Sequence, residues 1–341
     1  MTIEECIGFL SDPSSYPYNT GPIDVRETSK SWIFMTTTEV YKLKKRVKNH
    51  FQDLSTLTAR KANSHAEVSL NRRLAPDVYL GTVPLTCDHN GAFTLDGEGI
   101  IVDWLVRMRR LPEDRMLNQI IMRGDHSEPP TRQLLARLVE SLVDFYRRVP
   151  RARLEAHDYV AHFAHEQSKN RIILTDRRFP LEGRRLLRLL SAFEEALSFY
   201  REALVQRVYD GKVIQGHGDL RPEHVCLVEP PVVIDCLEFS ERLRSVDPFD
   251  EVVFLGLECE LLGANWIKPH FIHGIETGLG EKPREAVLLI YEAYRGLLRA
   301  RQCLAHLLLP EPREPTKWLP KARQYLSISE QALATLAKQG G

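Results

Sequence analysis

The first third of the chain alternates short apolar segments with polar breaks. Residues 25–29, 32–36 and 39–43 are rich in aromatic and β-branched side chains, and polar dipeptides separate them. This pattern predicts an antiparallel meander. Two later runs, 78–85 and 99–108, have the same character and are predicted to be the last two strands of the same small sheet.

Helical periodicity interrupts the strands once and dominates the sequence after Pro112. Residues 2–10 predict a short amphipathic helix, and residues 54–75 predict a longer one that begins at Ser55 as N-cap. The apolar face of the longer helix is predicted to comprise Leu57, Ala62, Ala66, Leu70 and Leu74. Further helices are predicted around residues 134–145, 186–208, 251–262, 284–309 and 317–338.

These elements predict an α+β protein with two lobes. Residues 1–108 would form a small antiparallel sheet with one helix, and residues 109–341 a mostly helical lobe. A single β-hairpin, residues 213–239, would interrupt the helices.

Two carboxylates stand at strand ends within that hairpin. A short apolar strand precedes the polar loop 217–224, which contains Asp219. Asp235 directly follows the apolar run 232–234. Carboxylates that meet in a cleft repel each other unless a cation lies between them. The economical interpretation is a metal site with one acid left for proton transfer.

Composition narrows the range of partners. The chain has 341 residues, 46 Lys plus Arg and 46 Asp plus Glu, so its formal charge of zero offers no electrostatic argument for nucleic acid or an anionic membrane. The six cysteines form no Cys-x-x-Cys pair and are expected to be reduced, buried thiols. No apolar run has the length of a membrane span, and we expect a cytoplasmic protein.

The loop His-Gly-Asp-Leu-Arg-Pro-Glu-His at 217–224 resembles the catalytic loop of the protein kinase-like superfamily. Its His-Gly-Asp form is the one used by aminoglycoside and choline phosphotransferases, and Ile234-Asp235 resembles the metal-binding Asp that follows this loop. The chain is thereby identified as similar to the aminoglycoside phosphotransferase-like family. The resemblance implies a bilobal kinase-like fold with a nucleotide-binding N-lobe at 1–108.

The same resemblance implies a reaction and its participants. ATP or GTP would supply a γ-phosphate to a hydroxyl group of a small molecule, with Asp219 as base and Mg²⁺ or Mn²⁺ held on Asp235. Arg221 occupies the position of a lysine that approaches the transferred phosphate in protein kinases, so it is a candidate transition-state cation; the alternative is a surface role.

The third predicted strand carries the candidate phosphate lysine. Period 2 places Lys42 and Lys44 on one face, and Val40-Tyr41-Lys42 resembles the lysine strand of kinases. The alternative is that both lysines are solvated guards of an edge strand. By resemblance, Glu67 on the following helix would pair with Lys42.

Other nucleotide contacts follow from order along the chain. The segment at Met108 and Arg109 resembles the hinge whose backbone would hold the base. The expected glycine-rich loop is missing, because residues 27–31 contain no Gly, although Ser29 and the neighbouring Lys could still bind a phosphate.

His224 departs from the family pattern, since the superfamily has a metal-binding Asn there. Imidazole nitrogen suits Mn²⁺ or Zn²⁺ better than Mg²⁺, which prefers oxygen. His224 could be a ligand in an altered site, or Asp235 and phosphates alone could hold the metal, or the domain could bind nucleotide without turnover.

Two acids precede the helix predicted at residues 251–262. Asp247 is its predicted N-cap, and Asp250 resembles the Asp that anchors the catalytic-loop backbone in the kinase-like superfamily.

Two rival functions are also compatible with these residues. One is a regulatory module that binds nucleotide without catalysis. The other is a metal-dependent hydrolase built on His217, Asp219, His224 and Asp235, which leaves Lys42 unexplained. A P-loop kinase is disfavoured because the sequence has no Gly-x-x-x-x-Gly-Lys-Ser/Thr. Acceptor identity and oligomeric state have no signal in the sequence.

Overall fold

The computed structural model describes residues 2–48 and 52–339. Its strands are β1 (Asp24–Glu27), β2 (Ser31–Met35), β3 (Glu39–Lys44), β4 (Tyr79–Cys87), β5 (Phe93–Leu95), β6 (Ile100–Arg109), β7 (Ile214–Gln215), β8 (Val225–Cys226), β9 (Val232–Val233) and β10 (Ser245–Val246).

The helices, numbered in chain order, are α1 (Ile3–Ser11), α2 (Leu57–Asn71), α3 (Leu117–Arg123), α4 (Pro129–Arg148), α5 (Ala156–Leu174), α6 (Gly183–Phe199), α7 (Arg201–Tyr209), α8 (Glu241–Arg244), α9 (Pro248–Leu261), α10 (Ile267–Leu279), α11 (Glu285–His306) and α12 (Pro315–Gln339). None of these helices is long and apolar enough to cross a bilayer.

The chain forms two compact units. The first unit comprises the described residues up to Ile120 together with Glu223–Leu243, and the second comprises 121–222 and the described residues from Arg244 onward. The first unit contains the sheet, and the second is mostly helical, so the predicted α+β class is confirmed.

The sheet of the first unit has six antiparallel strands in the order β1-β2-β3-β6-β4-β5. Strand β3 lies between β2 and β6, so its lysines are not on an edge strand. The predicted strands are present, and β5 is an addition that pairs with β4 after a turn at 88–91. The buried core of the sheet includes Phe34, Tyr41, Leu43, Leu85 and Leu105.

Helix α2 begins two residues after the predicted N-cap. Thr56, not Ser55, caps it, because the Thr56 hydroxyl accepts the N–H of Ala59 at 3.2 Å. The Ser55 hydroxyl instead donates to the Asp53 carboxylate in the preceding turn.

The buried face of α2 differs from the predicted apolar stripe. Ala62 is exposed, and the side chains that face inward are Arg60, Ser64, Glu67, Val68 and Asn71. Arg60 donates from Nε to both carboxylate oxygens of Asp103 on β6, at 2.9 and 3.0 Å. A charged residue can be buried when it is paired in this way, so apolar periodicity alone predicts the wrong face of α2.

The predicted hairpin 213–239 is two separate structures. Strands β8 and β9 pair with each other in the first unit, while β7 pairs with β10 in the second unit. The loop that follows β7 is therefore anchored by different neighbours from those of the hairpin that carries Asp235.

The second unit is built around α9, in which every residue from Pro248 to Cys259 is buried. Asp247 caps this helix as predicted, accepting the N–H of Phe249 at 2.9 Å. The helix predicted over 186–208 is two helices, α6 and α7, that meet at Tyr200. Helix α10, which the sequence analysis did not predict, ends at Gly280 in the left-handed conformation.

Candidate functional site

Lys42 on β3 lies between two carboxylates of the first unit. Its Nζ is 2.8 Å from Glu67 Oε1 and 3.1 Å from Asp235 Oδ1. Burial by itself lowers the pKa of Lys42, but the charges of Asp235 and Glu67 outweigh it and raise the pKa well above its ordinary value. The structure thus brings together three residues that the sequence placed in one site.

Glu67 is shared by both lysines of β3. The Lys44 ammonium pairs with the other carboxylate oxygen of Glu67, and it also lies 2.8 Å from Glu238 Oε1. The side chains of Lys44 and Glu67 are 2% and 1% exposed. Burial raises the pKa of Glu67, but the two lysines more than reverse that effect and lower it. The prediction that Lys42 and Lys44 share a face is confirmed, and neither is a solvated edge residue.

Asp235 follows β9 in an unusual backbone conformation. Its φ of 62° lies in the left-handed region, which Asp tolerates better than most residues. Its N–H donates to the hydroxyl of Tyr79 at 3.1 Å, and the next N–H, that of Cys236, donates to Asn71 Oδ1 at 2.8 Å. These bonds from β4 and α2 hold the turn so that the half-exposed carboxylate points at Lys42.

His224 is adjacent to Asp235. It ends a short 3₁₀ turn, is buried, and has its Nε2 3.6 Å from Asp235 Oδ2. Its carbonyl oxygen accepts the N–H of Ile234 at 2.9 Å, which fixes the hairpin beneath it. The positive charge of Lys42 lowers the pKa of Asp235, and His224 adds to that effect.

The two predicted metal ligands therefore face each other. Among residues 2–48 and 52–339, no cluster of three or more His, Cys, Asp or Glu side chains is arranged to hold a metal ion. The donor set that is present, a carboxylate with an imidazole alongside, fits a divalent ion: the Asp235 oxygens suit Mg²⁺ or Mn²⁺, and a His224 nitrogen suits Mn²⁺ better.

The turn between β1 and β2 carries Ser29 and Lys30, the two residues predicted as possible phosphate contacts in place of a glycine-rich loop. Ser29 is exposed at the tip of this turn, whereas the ammonium of Lys30 lies 3.7 Å from the ring centre of Phe239. Burial lowers the pKa of Lys30, and the charges of Glu238 and Asp235 act in the opposite direction.

The predicted hinge residues Met108 and Arg109 are the last two residues of β6. The N–H of Arg109 donates to the Val78 carbonyl at 2.8 Å, and the N–H of Arg110 donates to the Thr38 carbonyl at 2.8 Å. The Met108 side chain is half-buried beside the apolar cluster that includes Val78. Base contacts from Met108 and Arg109 remain a prediction. The N–H groups of Arg109 and Arg110 already donate to carbonyls within the first unit, so an N–H donor to a base has to come from another residue.

In the second unit, the loop after β7 presents Asp219 and Arg221 together. The guanidinium Nη2 of Arg221 lies 3.0 Å from Asp219 Oδ2, and both side chains are partly exposed. His217 is fully buried, and its Nδ1 accepts the N–H of Asp219 at 3.2 Å. His217 therefore helps to hold the loop through this hydrogen bond.

The residue that anchors this loop is Glu251, and not the predicted Asp250. Glu251 Oε1 accepts the N–H groups of His217 at 2.7 Å and Gly218 at 2.5 Å. Asp250 turns the other way and forms a buried bidentate pair with Arg295, both distances being 2.7 Å. Because all of α9 around these residues is buried, no periodic signal distinguished the two acids.

The arrangement in the first unit suits binding of a phosphate chain. Lysines held extended by buried carboxylates present fixed positive charge without having to be ordered when the anion arrives. Asp235 can exchange its contact with Lys42 for a contact with a metal ion. In the second unit, Asp219 is a partly exposed carboxylate on a loop held rigid by Glu251.

Comparison with known proteins adds sequence relatives of undetermined role. The uncharacterized proteins Rv2004c of Mycobacterium tuberculosis and Mb2027c of Mycobacterium bovis are each 28% identical to this chain over 282 residues, which is 82% of this chain and 54% of theirs. The chain therefore spans about half the length of the curated relatives that it matches. No family model matches the chain.

Solved structures resemble the chain over nearly its full length. A choline/ethanolamine kinase family protein from Mesorhizobium loti has a TM-score of 0.53 at 15% identity, and covers 98% of this chain and 99% of its own. A choline kinase from Cryptosporidium parvum has a TM-score of 0.54 at 12% identity, with 99% and 97% covered. The chain has the protein kinase-like fold, which confirms the resemblance drawn from the loop at 217–224 at the level of fold.

Proposed function

We propose that this chain is a nucleoside triphosphate-dependent phosphotransferase that acts on a hydroxyl group of a small molecule. The observation that carries the proposal is the buried pair of Lys42 and Glu67 in contact with Asp235. A lysine, its helix partner and a metal-binding carboxylate in one cluster are the parts that phosphoryl transfer requires on the nucleotide side. The solved structures of similar fold, a choline kinase and a choline/ethanolamine kinase family protein, support the same reaction class.

In this proposal, residues 1–108 bind ATP or GTP, and residues 109–341 supply the base. Lys42 neutralises charge on the nucleotide phosphates, and Glu67 keeps it extended. Asp235, with His224 beside it, would hold Mg²⁺ or Mn²⁺; when bound, such an ion neutralises charge that develops on the phosphate oxygens.

Asp219 is the proposed base. Its carboxylate accepts the proton of the acceptor hydroxyl, or orients that hydroxyl for attack, while Arg221 provides positive charge near the transferred group. The proton stays on Asp219 until product leaves. Glu251 keeps the loop in place through the two N–H groups that it accepts.

One alternative has an observation in its favour. His224 is buried 3.6 Å from the Asp235 carboxylate, where the kinase-like superfamily has Asn. A protein with this substitution could bind nucleotide as a regulatory module without turning it over. The hydrolase hypothesis has no such support, because fully buried His217 has its Nδ1 engaged by the N–H of Asp219.

Thermal unfolding tests the proposal without knowledge of the acceptor. A ligand that binds only the native state raises its stability by RT ln(1 + [L]/Kd), about 2.7 kcal/mol at a hundredfold excess over Kd. We expect ATP or GTP to raise the Tm of the wild-type protein more with Mg²⁺ or Mn²⁺ than without, and Asp235→Asn to abolish the metal-dependent part. The matched control is Asp24→Asn, an exposed carboxylate of the same sheet paired with Arg26.

The proposal is overturned if no nucleotide shifts the Tm of the wild type, or if Asp235→Asn responds to metal and nucleotide as the wild type does. A metal-independent shift in the wild type supports the regulatory module instead. When the metal-dependent shift is present, release of ADP in the presence of pooled alcohols then distinguishes a working transferase from a binding module.

A further inference from the structure

The turn between β1 and β2 is closed by its own side chain. The Thr28 hydroxyl accepts the N–H groups of Lys30 at 3.3 Å and Ser31 at 2.9 Å, and it donates to the Ser31 carbonyl at 3.0 Å. The Thr28 N–H donates to the same carbonyl at 2.9 Å. Three N–H groups of a four-residue turn are therefore engaged within the turn, so these groups are not presented to a ligand.

This closure changes how the turn can bind an anion. A glycine-rich loop binds phosphate through open backbone N–H groups. Here the Thr28 hydroxyl accepts the N–H groups of Lys30 and Ser31, so they are not open to an anion. The turn retains one cationic side chain, Lys30.

The Lys30 ammonium is directed toward the charged cluster that contains Lys42, Lys44 and Asp235. It lies 3.7 Å from the ring centre of Phe239, four residues after Asp235, and it interacts electrostatically with Asp235 and Glu238 as well as with Lys42 and Lys44. The turn itself is tied to β3, because the Lys45 N–H donates to the Lys30 carbonyl at 2.8 Å. The ammonium is thus held against a ring face by a cation–π contact.

A phosphate would compete well for this ammonium. Charge-assisted hydrogen bonds to phosphate are about twice as strong as neutral ones, and the ring contact is weaker and less directional than such a bond. Lys30 can leave the ring by rotation of its side chain, without movement of the turn. Partial burial makes the isolated charge less favourable, so a phosphate partner would stabilise it.

We propose that Lys30 binds the terminal phosphates of the nucleotide, as a side-chain substitute for the absent glycine-rich loop. This inference rests on the proposed function, since it assigns a further phosphate-binding residue to that site. Lys42 then holds the phosphate chain from the β3 side and Lys30 from the turn.

The chain contains a matched lysine for the test. Lys45 is also held over an aromatic ring, with its Nζ 5.0 Å from the ring centre of Trp32, and it pairs with Glu27 on β1. It belongs to the same sheet and carries the same charge, but its carboxylate partner is Glu27 and not a member of the Asp235 cluster. Lys45→Met thus reproduces the loss of one positive charge and one ring contact.

The experiment is calorimetric titration of wild type, Lys30→Met, Lys30→Arg and Lys45→Met with ATP or GTP, with the corresponding diphosphate, and with adenosine or guanosine, all at constant Mg²⁺. We expect Lys30→Met to weaken triphosphate binding about tenfold or more, in line with the loss of one charge-assisted hydrogen bond. Nucleoside affinity should stay within twofold, Lys30→Arg should retain most of the triphosphate affinity, and Lys45→Met should match the wild type.

Each contrary result has a distinct meaning. If Lys30→Met binds the triphosphate as the wild type does, Lys30 is not a phosphate residue, although the proposed function stands. If it loses nucleoside and triphosphate affinity equally, its role is to hold the turn, and the inference is wrong. An equal loss in Lys45→Met also overturns it, because net charge would then explain the effect. If the wild type binds no nucleotide, the proposed function fails and this inference fails with it.

Discussion

Glu67 is a single buried carboxylate that pairs with two lysines, the partly buried Lys42 and the buried Lys44. It is 1% exposed and pairs with Lys42 through one oxygen and Lys44 through the other. Removing its charge would leave both lysines partly uncompensated, and breaking a buried pair from one side costs about 3–5 kcal/mol. We therefore expect Glu67→Gln to lower the free energy of unfolding by about 3 kcal/mol in urea titrations.

The control for that variant is Glu194→Gln. Glu194 pairs with Arg171 on the surface, and both side chains are more than a third exposed. Exposed pairs contribute about 0–1 kcal/mol, so this variant should unfold close to the wild-type midpoint. Equal losses in the two variants would show that Glu67 is not the central charge of a buried network.

Glu251 should make stability depend on pH. Burial raises its pKa from an ordinary 4.5 to about 7, although the N–H groups of Gly218 and His217 oppose the shift. The folded protein then holds a proton that the unfolded chain releases, so this contribution is complete below pH 4.5 and is lost as pH rises through 7. The loss is about 3 kcal/mol for a shift of this size.

Glu251→Gln removes the titrating group and keeps an oxygen that can accept both N–H donors. Urea unfolding between pH 4.5 and 7.5 should therefore show a steeper fall in stability for the wild type than for the variant. Parallel curves would contradict the raised pKa. An exposed substitution of the same kind, Glu195→Gln, should follow the wild-type curve.

At the scale of single residues, the sequence was informative where strand alternation or a motif restricts where a side chain can lie. Strand period predicted that Lys42 and Lys44 share a face, and order along the chain predicted the Lys42–Glu67 ion pair, which the structure contains. Glu251 was missed in favour of its neighbour, because a helix buried on all sides offers no pattern to orient two adjacent acids. Lys30 could not be ranked, because its placement depends on the closure of a turn by the Thr28 hydroxyl.

Helix α2 shows how an element can be predicted correctly for an incomplete reason. Its existence followed from an apolar stripe, yet the face that packs against the sheet carries Arg60, Ser64 and Glu67. The ion pairs Lys42–Glu67 and Arg60–Asp103 allow this charged face to be buried against β3 and β6. Because Lys42 and Asp103 lie on those strands, the pairs cannot be recognised from the sequence of the helix alone. The strands were easier to predict, since alternation in each is a local property.

The N-terminus of α2 gives a test at the scale of this element. Thr56→Ala removes the hydroxyl that accepts the Ala59 N–H, and loss of such a cap costs about 1 kcal/mol. Ser55→Ala, one residue earlier, removes only an exposed contact with Asp53 and should change stability by less than about 0.5 kcal/mol. Urea midpoints of the two variants decide which residue is the cap, and a larger loss in Ser55→Ala would reverse the assignment.

For the whole molecule, the order of elements was sufficient to predict the fold class. A small antiparallel sheet with one helix, followed by a helical region with short strands, has few compact solutions, and the loop at 217–224 selected among them. The pairing of the short strands was beyond prediction, because two-residue strands such as β7 and β8 carry no register signal.

The two candidate acids belong to different units of the chain, and this division predicts that their functions can be separated. Asp235 is in contact with Lys42 in the first unit, whereas Asp219 is paired with Arg221 in the second. If Asp235 serves nucleotide and metal binding and Asp219 serves proton transfer, Asp219→Asn should bind nucleotide within about twofold of the wild type. Its turnover should fall at least about a hundredfold, the usual contribution of a general base.

The measurement pairs nucleotide titration with product formation, once an acceptor hydroxyl has been found among small alcohols. Asp210→Asn, an exposed carboxylate of the second unit that accepts a hydrogen bond from Gln206, is the matched control and should retain both properties. Loss of nucleotide affinity in Asp219→Asn would place Asp219 among the nucleotide or metal ligands. Undiminished turnover would remove it from proton transfer, because a neutral amide cannot accept the hydroxyl proton that the mechanism assigns to this carboxylate.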